Sequence, residues 1–381
     1  MQLESKLPRI GTTIFTRMSA LAASENALNL SQGYPDFDAP AALIEALGRH
    51  AAQGHNQYAP MAGVPALREQ ISAQLQRFRG VTCDPDTEIT VVPGATEGIF
   101  CAITACIRPG DEVIVFDPVY DSYEPAIELA GGKAVHLPLS ANEFAIDWQQ
   151  VRAAITPRTR MIMINSPHNP CGSVLSAQDM LELQDIAEQH DLLVNSDEVY
   201  EHLVFDGLEH LSVLQFESLR QRSFAHFSFG KTFSVTGWKT GYCVAPARLT
   251  AELRKVHQYV AFVSVTPVQL ALADFMREQP DYAGTLGAFY QAKRDLFLHA
   301  LEHSRLTFSP SQGSYFQLLD YSAITTEPDT LVSEQWTREN KIASIPISVF
   351  YAAPPQQSTL RFCFAKSDSV LLQAAEILCR I

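Results

Sequence analysis

Apolar runs rich in β-branched residues alternate with helical patterns between about residues 86 and 245. The runs are EITVV, EVIVF, RMIMIN, LLVNSDEVY and SFAHFSFG, and helical patterns such as GATEGIFCAITACI and SAQDMLELQDIAEQH lie between them. Residues 113–116 and 161–164 are apolar without alternation, which is typical of strands in a parallel sheet that helices cover on both faces. The pattern predicts a wound α/β core.

The two ends of the chain have other patterns. Helical periodicity in AALIEALGRHAAQ and VPALREQISAQLQRF precedes the core, and short strands such as SYFQLLD and TLRFCFA alternate with helices after it. No Ser/Gly linker, charge block or repeat divides the chain. We therefore expect a smaller α+β domain built from both chain ends and joined to the core by a continuous helix within residues 252–276.

Composition narrows the classes of partner. The chain has 381 residues with 46% hydrophobic and 18% charged, which are ordinary globular values, and its formal net charge is −14. An acidic balance of this size repels phosphate backbones and anionic lipid, and no Lys/Arg run longer than two opposes it. Neither nucleic acid nor a membrane is an expected partner.

The cysteines and the N-terminal sequence bear on the compartment. Seven cysteines are scattered without a CxxC pair, which is typical of reduced, buried thiols. The N-terminus has no apolar core of a signal peptide, and no run of about 18 apolar residues follows it. The sequence predicts a cytoplasmic protein.

Four polar segments follow apolar strands, where ligands bind in wound α/β sheets. Lys231 lies among small residues in SFGKTF, where desolvation makes an amine nucleophilic, although such lysines are often surface charges. Asp197 and Tyr200 end the strand NSDEVY, a position that also suits a helix cap. Asn169 lies in NSPHNPCG, which is also a turn sequence. The segment 93–98, PGATEG, can offer helix N–H groups to a phosphate but lacks a Walker or dinucleotide spacing.

Other catalytic centres are not predicted. His168 lies beside Asn169, but no HExxH or paired Cys/His spacing occurs, so we expect no metal site. No GxSxG indicates a hydrolase.

The order of the four segments carries more information than any one of them. Asp197 follows Asn169 by 28 positions and Lys231 follows Asp197 by 34, enough for an intervening helix and strand. In this arrangement the chain resembles the class I and II aminotransferases of pyridoxal-phosphate fold type I, essentially from NLSQGYPDF at residue 29 to LRFCF at residue 360. The segments QYAP, DSYEP, GWK and IPISVF resemble the methionine and kynurenine aminotransferase branch most.

The resemblance implies a fold of the aspartate-aminotransferase type. The large, mostly parallel-sheet domain would span residues 41–276, and the smaller α+β domain would combine residues 1–40 with 277–381.

The resemblance also implies pyridoxal 5′-phosphate as cofactor. Lys231 would bond to its aldehyde and then shuttle a proton, which makes one lysine both nucleophile and base. Asp197 would face the ring nitrogen, Asn169 and Tyr200 the phenolic oxygen, and Tyr120 the face of the ring. Lys231, Asp197 and Tyr200 are the expected catalytic residues.

The phosphate would be bound by main-chain and side-chain groups from both subunits of a homodimer. These are the N–H groups of Ala95 and Thr96, the side chains of Ser228 and Lys239, and Tyr58 of a second subunit. Most of the family has arginine at the Lys239 position, and a lysine keeps the charge without the bidentate fork.

The substrate would be an amino acid, with a 2-oxo acid as acceptor in a ping-pong cycle. Arg361 matches the arginine that binds the α-carboxylate, with the Gly33 N–H and Asn169 beside it. Apolar and aromatic residues near these segments, and no second arginine, favour a neutral, large apolar or aromatic side chain, methionine above all. The apolar positions are Ile14, Phe15, Tyr58, Tyr120, Phe350 and Tyr351.

Two other functions stay open at this point. The same carbanion chemistry would support a β-lyase acting on cysteine conjugates or cystathionine. A cofactor-sensing transcriptional regulator is disfavoured, because the resemblance fills nearly all 381 residues and the chain is acidic.

Overall fold

A seven-stranded sheet forms the centre of the computed structural model, which describes residues 4–141 and 143–381. The strands of the described residues are β1 (Leu28–Asn29), β2 (Ile89–Val92), β3 (Glu112–Asp117), β4 (Lys133–Pro138), β5 (Thr159–Asn165), β6 (Leu193–Asp197), β7 (Ser223–Ser228), β8 (Gly241–Val244), β9 (Phe316–Asp320), β10 (Ile342–Ala343), β11 (Ile345–Pro346) and β12 (Thr359–Cys363).

Helices connect and cover these strands. They are α1 (Ile14–Ser24), α2 (Ala41–Ala52), α3 (Pro65–Arg79), α4 (Ala95–Cys106), α5 (Tyr123–Leu129), α6 (Trp148–Ala154), α7 (Ala177–Gln189), α8 (Glu217–Arg220), α9 (Phe229–Thr232), α10 (Ala247–Val260), α11 (Thr266–Glu278), α12 (Leu286–Ala300), α13 (Asp329–Gln335) and α14 (Asp368–Leu378). None of these described helices has both the length and the hydropathy that a membrane span needs.

The central sheet has the strand order β2-β8-β7-β6-β5-β3-β4. Neighbouring strands from β7 through β4 pair in parallel, and β8 runs antiparallel to both of its neighbours. Every residue of β3 is buried, as its apolar run without alternation predicts. The predicted wound α/β core is therefore confirmed, with β8 as its reversed strand.

Two strands of this sheet escaped the sequence patterns. Strand β4 is a half-buried edge strand with lysine, histidine and proline among its six residues, so no apolar run marks it. Strand β8 has four residues and begins at Gly241, where a Cβ atom would lie 2.3 Å from the Phe227 carbonyl oxygen. The glycine permits the two strands to approach closely. Because glycine has a low β propensity, the sequence pattern does not predict this strand.

The N-terminal segment packs on the C-terminal part of the chain. Strand β1 pairs in parallel with β10, and Met18 of α1 packs in one apolar cluster with Ile345, Ile347 and Phe350. Strands β11, β12 and β9 form an antiparallel sheet beside them. A smaller α+β unit from both chain ends is thus present, whereas the residue boundaries given above stay a prediction.

The predicted continuous helix within residues 252–276 is wrong. Helix α10 ends at Val260 and α11 begins at Thr266, with Phe262 between them at φ 67°. Pro267, the second residue of α11, has no N–H for a helical hydrogen bond and its ring would clash with the carbonyl group four residues earlier, so a helix cannot run through it from α10. Phe262, an L-residue at positive φ, also breaks the helix. Both helices instead belong to the large unit, where α11 packs on α2 and α3.

The thiol prediction needs one correction. All seven cysteines are free, and Cys83, Cys101, Cys171, Cys243 and Cys363 are buried as expected. Cys106 is only partly buried and Cys379 is exposed. Cys379 directly follows the last residue of α14, and its thiol donates to the Ala300 carbonyl oxygen at 3.5 Å.

Candidate active site

A cavity of about 350 Å³ opens at the carboxyl ends of the parallel strands. Strands β5, β6 and β7 end at Asn165, Asp197 and Ser228, and all three residues line it. Opposite them, the smaller unit contributes Phe316 and Arg361. The position is the one that wound α/β sheets use for ligands, and the volume is that of a small-molecule site.

The sequence-predicted site residues converge on this cavity, with Tyr58 as the exception. Those that line it are Gly33, Ala95, Thr96, Tyr120, Asn169, Asp197, Tyr200, Ser228, Lys231, Lys239 and Arg361. Tyr58 lies outside, with 83% of its surface exposed and its ring 5.4 Å from that of Phe262.

Lys231 stands in the short helix α9, directly after β7. Its Nζ donates to the Tyr315 hydroxyl at 2.6 Å and to the Gly33 carbonyl oxygen at 3.1 Å. Burial lowers its pKa to about 8, so about a tenth of the amine is uncharged at pH 7, far more than for an exposed lysine. An uncharged buried amine can attack a carbonyl carbon.

Asp197 is buried at the end of β6. Its Oδ2 accepts a hydrogen bond from the Tyr123 hydroxyl at 2.5 Å, and its Oδ1 accepts one from the Val199 N–H at 3.3 Å. Burial raises its pKa to about 6, against the opposing effects of the Tyr123 hydrogen bond and of the Lys231 charge. The carboxylate therefore stays largely ionised at neutral pH although it is buried.

Arg361 on β12 is a buried cation without an acidic partner among the described residues. It is 1% exposed, and its Nη1 and Nη2 donate to Asn169 Oδ1 at 2.7 Å and to the Ser31 carbonyl oxygen at 3.0 Å. Its Nε has no hydrogen-bond partner among the described atoms, and the Phe316 ring centroid lies 3.9 Å from its guanidinium carbon. Burying an unpaired charge is costly, so this guanidinium is suited to a ligand carboxylate.

Asn169 connects this cation to the loop after β5. Its N–H donates to Asn165 Oδ1 at 2.7 Å, which fixes the loop after β5. Because its own Oδ1 accepts from Arg361, the two N–H groups of its amide remain available to a ligand oxygen.

The aromatic residues Tyr120 and Tyr200 occupy different depths. Tyr200 is buried, with its ring edge-on to Tyr315 at a centroid distance of 5.0 Å. Tyr120 is partly exposed at the cavity and stands 5.7 Å from the ring of Tyr123. Burial raises the pKa of both hydroxyl groups, so both remain protonated donors.

The first turn of α4 has the features of an anion site. Gly94 at its N-cap has φ 83° and no side chain to cap the helix, so the N–H groups of Ala95 and Thr96 stay free of a capping side chain. A Cβ atom at Gly94 would lie 3.3 Å from Lys239 Nζ, which places this ammonium group beside the turn. Helix N–H groups and a cation together suit a phosphate.

These groups fit pyridoxal 5′-phosphate. The amine of Lys231 could react with its aldehyde, and the buried carboxylate of Asp197 could pair with its protonated ring nitrogen. The α4 turn and Lys239 could bind its phosphate. The fit rests on the donor set and its burial.

Two residues of this site were missed in the sequence. Tyr123 and Tyr315 contact Asp197 and Lys231, yet Tyr123 lies in the helical pattern SYEPAIELA and Tyr315 in the strand pattern SYFQLLD, and neither pattern indicates a role in the site. Tyr123 belongs to the DSYEP segment, whose match to the aminotransferase branch was the available signal.

Of the proposed apolar pocket, Phe15 and Tyr120 line the cavity, whereas Phe350 packs against Phe15 at a ring centroid distance of 5.8 Å. Ile14 and Tyr351 are not among the residues that line it.

A group of possible metal ligands lies outside the cavity. Ligand atoms of Glu97, Cys101 and His257 lie within 4.8 Å of one another, but they already bond to each other through Glu97 Oε1. The expectation of no metal site stays a prediction.

Comparison with known proteins gives consistent results over the whole chain. A family model described as aminotransferase class I and II matches residues 25–378. Methionine aminotransferase of Escherichia coli K12 is 52% identical over 373 residues, which covers 98% of this chain and 97% of that protein. Mouse kynurenine–oxoglutarate transaminase 3 is 32% identical over 98% of this chain and 88% of its own. The crystal structure of E. coli YbdL, identified as a methionine aminotransferase, superposes with a TM-score of 0.98 at 51% identity over the full length of both chains. The resemblance drawn from the motifs is confirmed, as is the fold.

Proposed function

The chain belongs to the class I and II aminotransferases, which use pyridoxal 5′-phosphate, and we propose that its amino donor is methionine or a similar large, neutral amino acid. A 2-oxo acid would accept the amino group in a ping-pong cycle. The name of the E. coli relative supports methionine as the donor.

The cations that line the cavity support a neutral donor. Among the described lining residues they are Lys231, Lys239 and Arg361. If Lys231 reacts with the cofactor, Lys239 binds the phosphate and Arg361 binds the α-carboxylate, none remains for a second carboxylate. Phe15 and Phe316 offer apolar surface near Arg361 instead, which suits a thioether side chain.

Lys231 and Asp197 carry the chemical steps in this proposal. When bound, the cofactor supplies an electron-withdrawing ring that stabilises negative charge at the substrate Cα. Lys231 holds the cofactor covalently and, once released, takes the proton from Cα with an amine whose pKa of about 8 suits a base near neutral pH. Asp197 holds a proton on the ring nitrogen through its ionised carboxylate.

Neighbouring side chains orient the two ligands. Asn169 and Tyr200 donate to the phenolic oxygen, and Tyr120 covers the ring face. Arg361 binds the α-carboxylate, assisted by the Gly33 N–H, and its hydrogen bond to Asn169 couples the substrate position to the cofactor position.

We assign the phosphate to the N–H groups of Ala95 and Thr96 and to Ser228 and Lys239. Tyr58 completes it from a second subunit, so the active unit is a homodimer. The exposed, solvent-facing position of Tyr58 in the single chain supports this assignment.

The alternative β-lyase activity receives no support from the comparisons. The cytoplasmic location inferred from the sequence stays a prediction.

An absorbance experiment tests the proposal. Purified protein with pyridoxal phosphate should show the visible absorbance of the lysine-bound cofactor, lose it on addition of methionine, and regain it with a 2-oxo acid. A Lys231→Ala variant should not complete this cycle. The donor assignment requires kcat/KM for methionine to exceed that for aspartate at least about tenfold. This factor corresponds to about 1.4 kcal/mol, the cost of leaving the second carboxylate of aspartate without a partner in the cavity. A preference for aspartate would refute it.

A further inference from the structure

Tyr123, the first residue of α5, lies between two residues of the proposed cofactor site. Its hydroxyl donates to Asp197 Oδ2 at 2.5 Å, and its ring meets that of Tyr120 edge-on at 5.7 Å with an interplanar angle of 73°. The side chain is 3% exposed. It therefore contacts both the carboxylate and the aromatic ring that face the cavity.

The hydrogen bond from Tyr123 has no side-chain substitute. Among the described residues, no other side chain bonds to the Asp197 carboxylate, whose second contact is the Val199 N–H at 3.3 Å. The hydroxyl bond is much the shorter of the two, as expected for a donor to an ionised oxygen.

The direction of this bond decides which form of Asp197 it stabilises. Burial raises the pKa of the Tyr123 hydroxyl well above 10, so this group is a donor throughout the working pH range. A fixed donor stabilises the ionised carboxylate more than the protonated one. Burial raises the pKa of Asp197 to about 6 although the Tyr123 hydrogen bond lowers it. Without this bond, the pKa of Asp197 should rise further.

We propose that Tyr123 is a positioning residue that keeps Asp197 ionised and directed at the cofactor ring nitrogen. The inference rests on the role proposed above for Asp197. It adds a residue that does not line the cavity and that would act through the carboxylate.

Other ionisable groups surround Asp197 and enter the pH dependence. Lys231 follows β7, Glu198 is its chain neighbour, and Tyr120 approaches from the segment before α5. His226 is its register partner on β7, buried and neutral because burial lowers its pKa to about 3. All of these groups remain in a Tyr123→Phe variant, so the difference between variant and wild type isolates the hydroxyl.

The test measures the dissociation constant of pyridoxamine phosphate from cofactor-free protein between pH 6 and 8.5. This probe has the pyridine nitrogen but no aldehyde to react with Lys231, and its own titrations cancel in the ratio of variant to wild type. For Tyr123→Phe we expect the ratio to be about 10 at pH 6 and to approach 1 at pH 8.5, where Asp197 is ionised in both proteins. A ratio that stays constant across the range indicates packing alone and overturns the inference.

Tyr242→Phe provides a matched control. The Tyr242 hydroxyl also donates to a buried carboxylate, that of Glu201 at 3.2 Å, but neither residue lines the cavity. Its ratio should stay near 1 at every pH. A pH-dependent ratio equal to that of Tyr123→Phe would overturn the inference.

Asp197→Asn separates this inference from the proposed function. If Asp197→Asn binds the probe as tightly as wild type at pH 8.5, the proposed role of Asp197 is wrong. If it binds weakly while Tyr123→Phe matches wild type at pH 6, only the role of Tyr123 is wrong. Should Tyr123→Phe fail to fold, Asp197→Asn is compared with the double variant, in which the buried charge is gone. Equal dissociation constants support the inference, and further weakening in the double variant overturns it.

Discussion

Lys231 Nζ donates to the Tyr315 hydroxyl at 2.6 Å, and Tyr315 in turn donates to the Gly33 carbonyl oxygen. The ring of Tyr315 also lies 5.2 Å from the same nitrogen. One tyrosine of the smaller unit therefore connects the reactive lysine to the segment that carries Gly33. Gly33 is also the residue whose N–H we assign to the substrate α-carboxylate.

Replacement of Tyr315 by phenylalanine should slow the proton transfers more than it weakens substrate binding. The released amine would keep the Gly33 carbonyl oxygen at 3.1 Å as its hydrogen-bond acceptor but lose the closer one. We expect kcat to fall about tenfold, the worth of one hydrogen bond to a charged group, with KM changed less than about twofold. Steady-state kinetics with methionine measure both.

Tyr321→Phe is the control for this substitution. Tyr321 is equally buried and donates to the Glu327 carbonyl oxygen at 2.9 Å, away from the cavity. It should leave kcat unchanged. Wild-type kcat in Tyr315→Phe, or a loss confined to KM, would contradict the assigned role.

A shared active site predicts complementation between two inactive variants. In the proposed dimer each active site takes Lys231 from one subunit and Tyr58 from the other. A mixed dimer of a Lys231→Ala subunit and a Tyr58→Ala subunit therefore has one site with both residues intact. Half of randomly mixed dimers are heterodimers, which gives about a quarter of wild-type activity. Activity assays after joint refolding of equal amounts measure it at limiting cofactor. If the mixture is no more active than the two variants assayed alone, Tyr58 does not act across an interface.

Much of the site could be predicted because the carboxyl ends of parallel strands meet at one edge. Asn169, Asp197 and Lys231 each follow an apolar run, and β5, β6 and β7 are neighbours in the sheet. Local patterns alone therefore indicated convergence, while the resemblance supplied the roles.

What could not be predicted depends on contacts between distant positions. Tyr123 and Tyr315 lie 74 and 84 positions from the residues they bond, and periodicity marks them only as buried aromatics. Arg361 has no acidic partner among the described residues, and this too is a property of the folded chain that local patterns do not indicate. The break between α10 and α11 depends on Phe262 adopting positive φ, which its residue type does not indicate.

Arg361→Lys should impair recognition of the substrate carboxylate. A lysine keeps the charge but cannot replace the planar fork that bonds to Asn169 and Ser31 while presenting N–H groups to a carboxylate. We expect kcat/KM for methionine to fall about 10- to 100-fold, or roughly 1.4–2.8 kcal/mol. The decarboxylated amine of methionine, followed by single-turnover absorbance, should react equally with both proteins. An equal loss for this amine would mean that the substitution disturbs the cofactor instead.

The buried Lys231 amine also predicts how the stability of the cofactor-free protein depends on pH. Its folded pKa of about 8 lies below the unfolded value of 10.5, so between these values the unfolded chain binds more protons at this position. Stability therefore rises with pH in this window, the opposite of a lysine that gains an acidic partner. Relative to Lys231→Met, which cannot titrate, the free energy of unfolding of wild type should increase by about 3 kcal/mol between pH 8 and 10.5. Urea denaturation at pH 7.5, 8.5, 9.5 and 10.5 measures the difference, and the thiols and other lysines cancel between the two proteins. Parallel curves for the two proteins would mean that the amine is solvated in solution and is not held in the low-dielectric cavity.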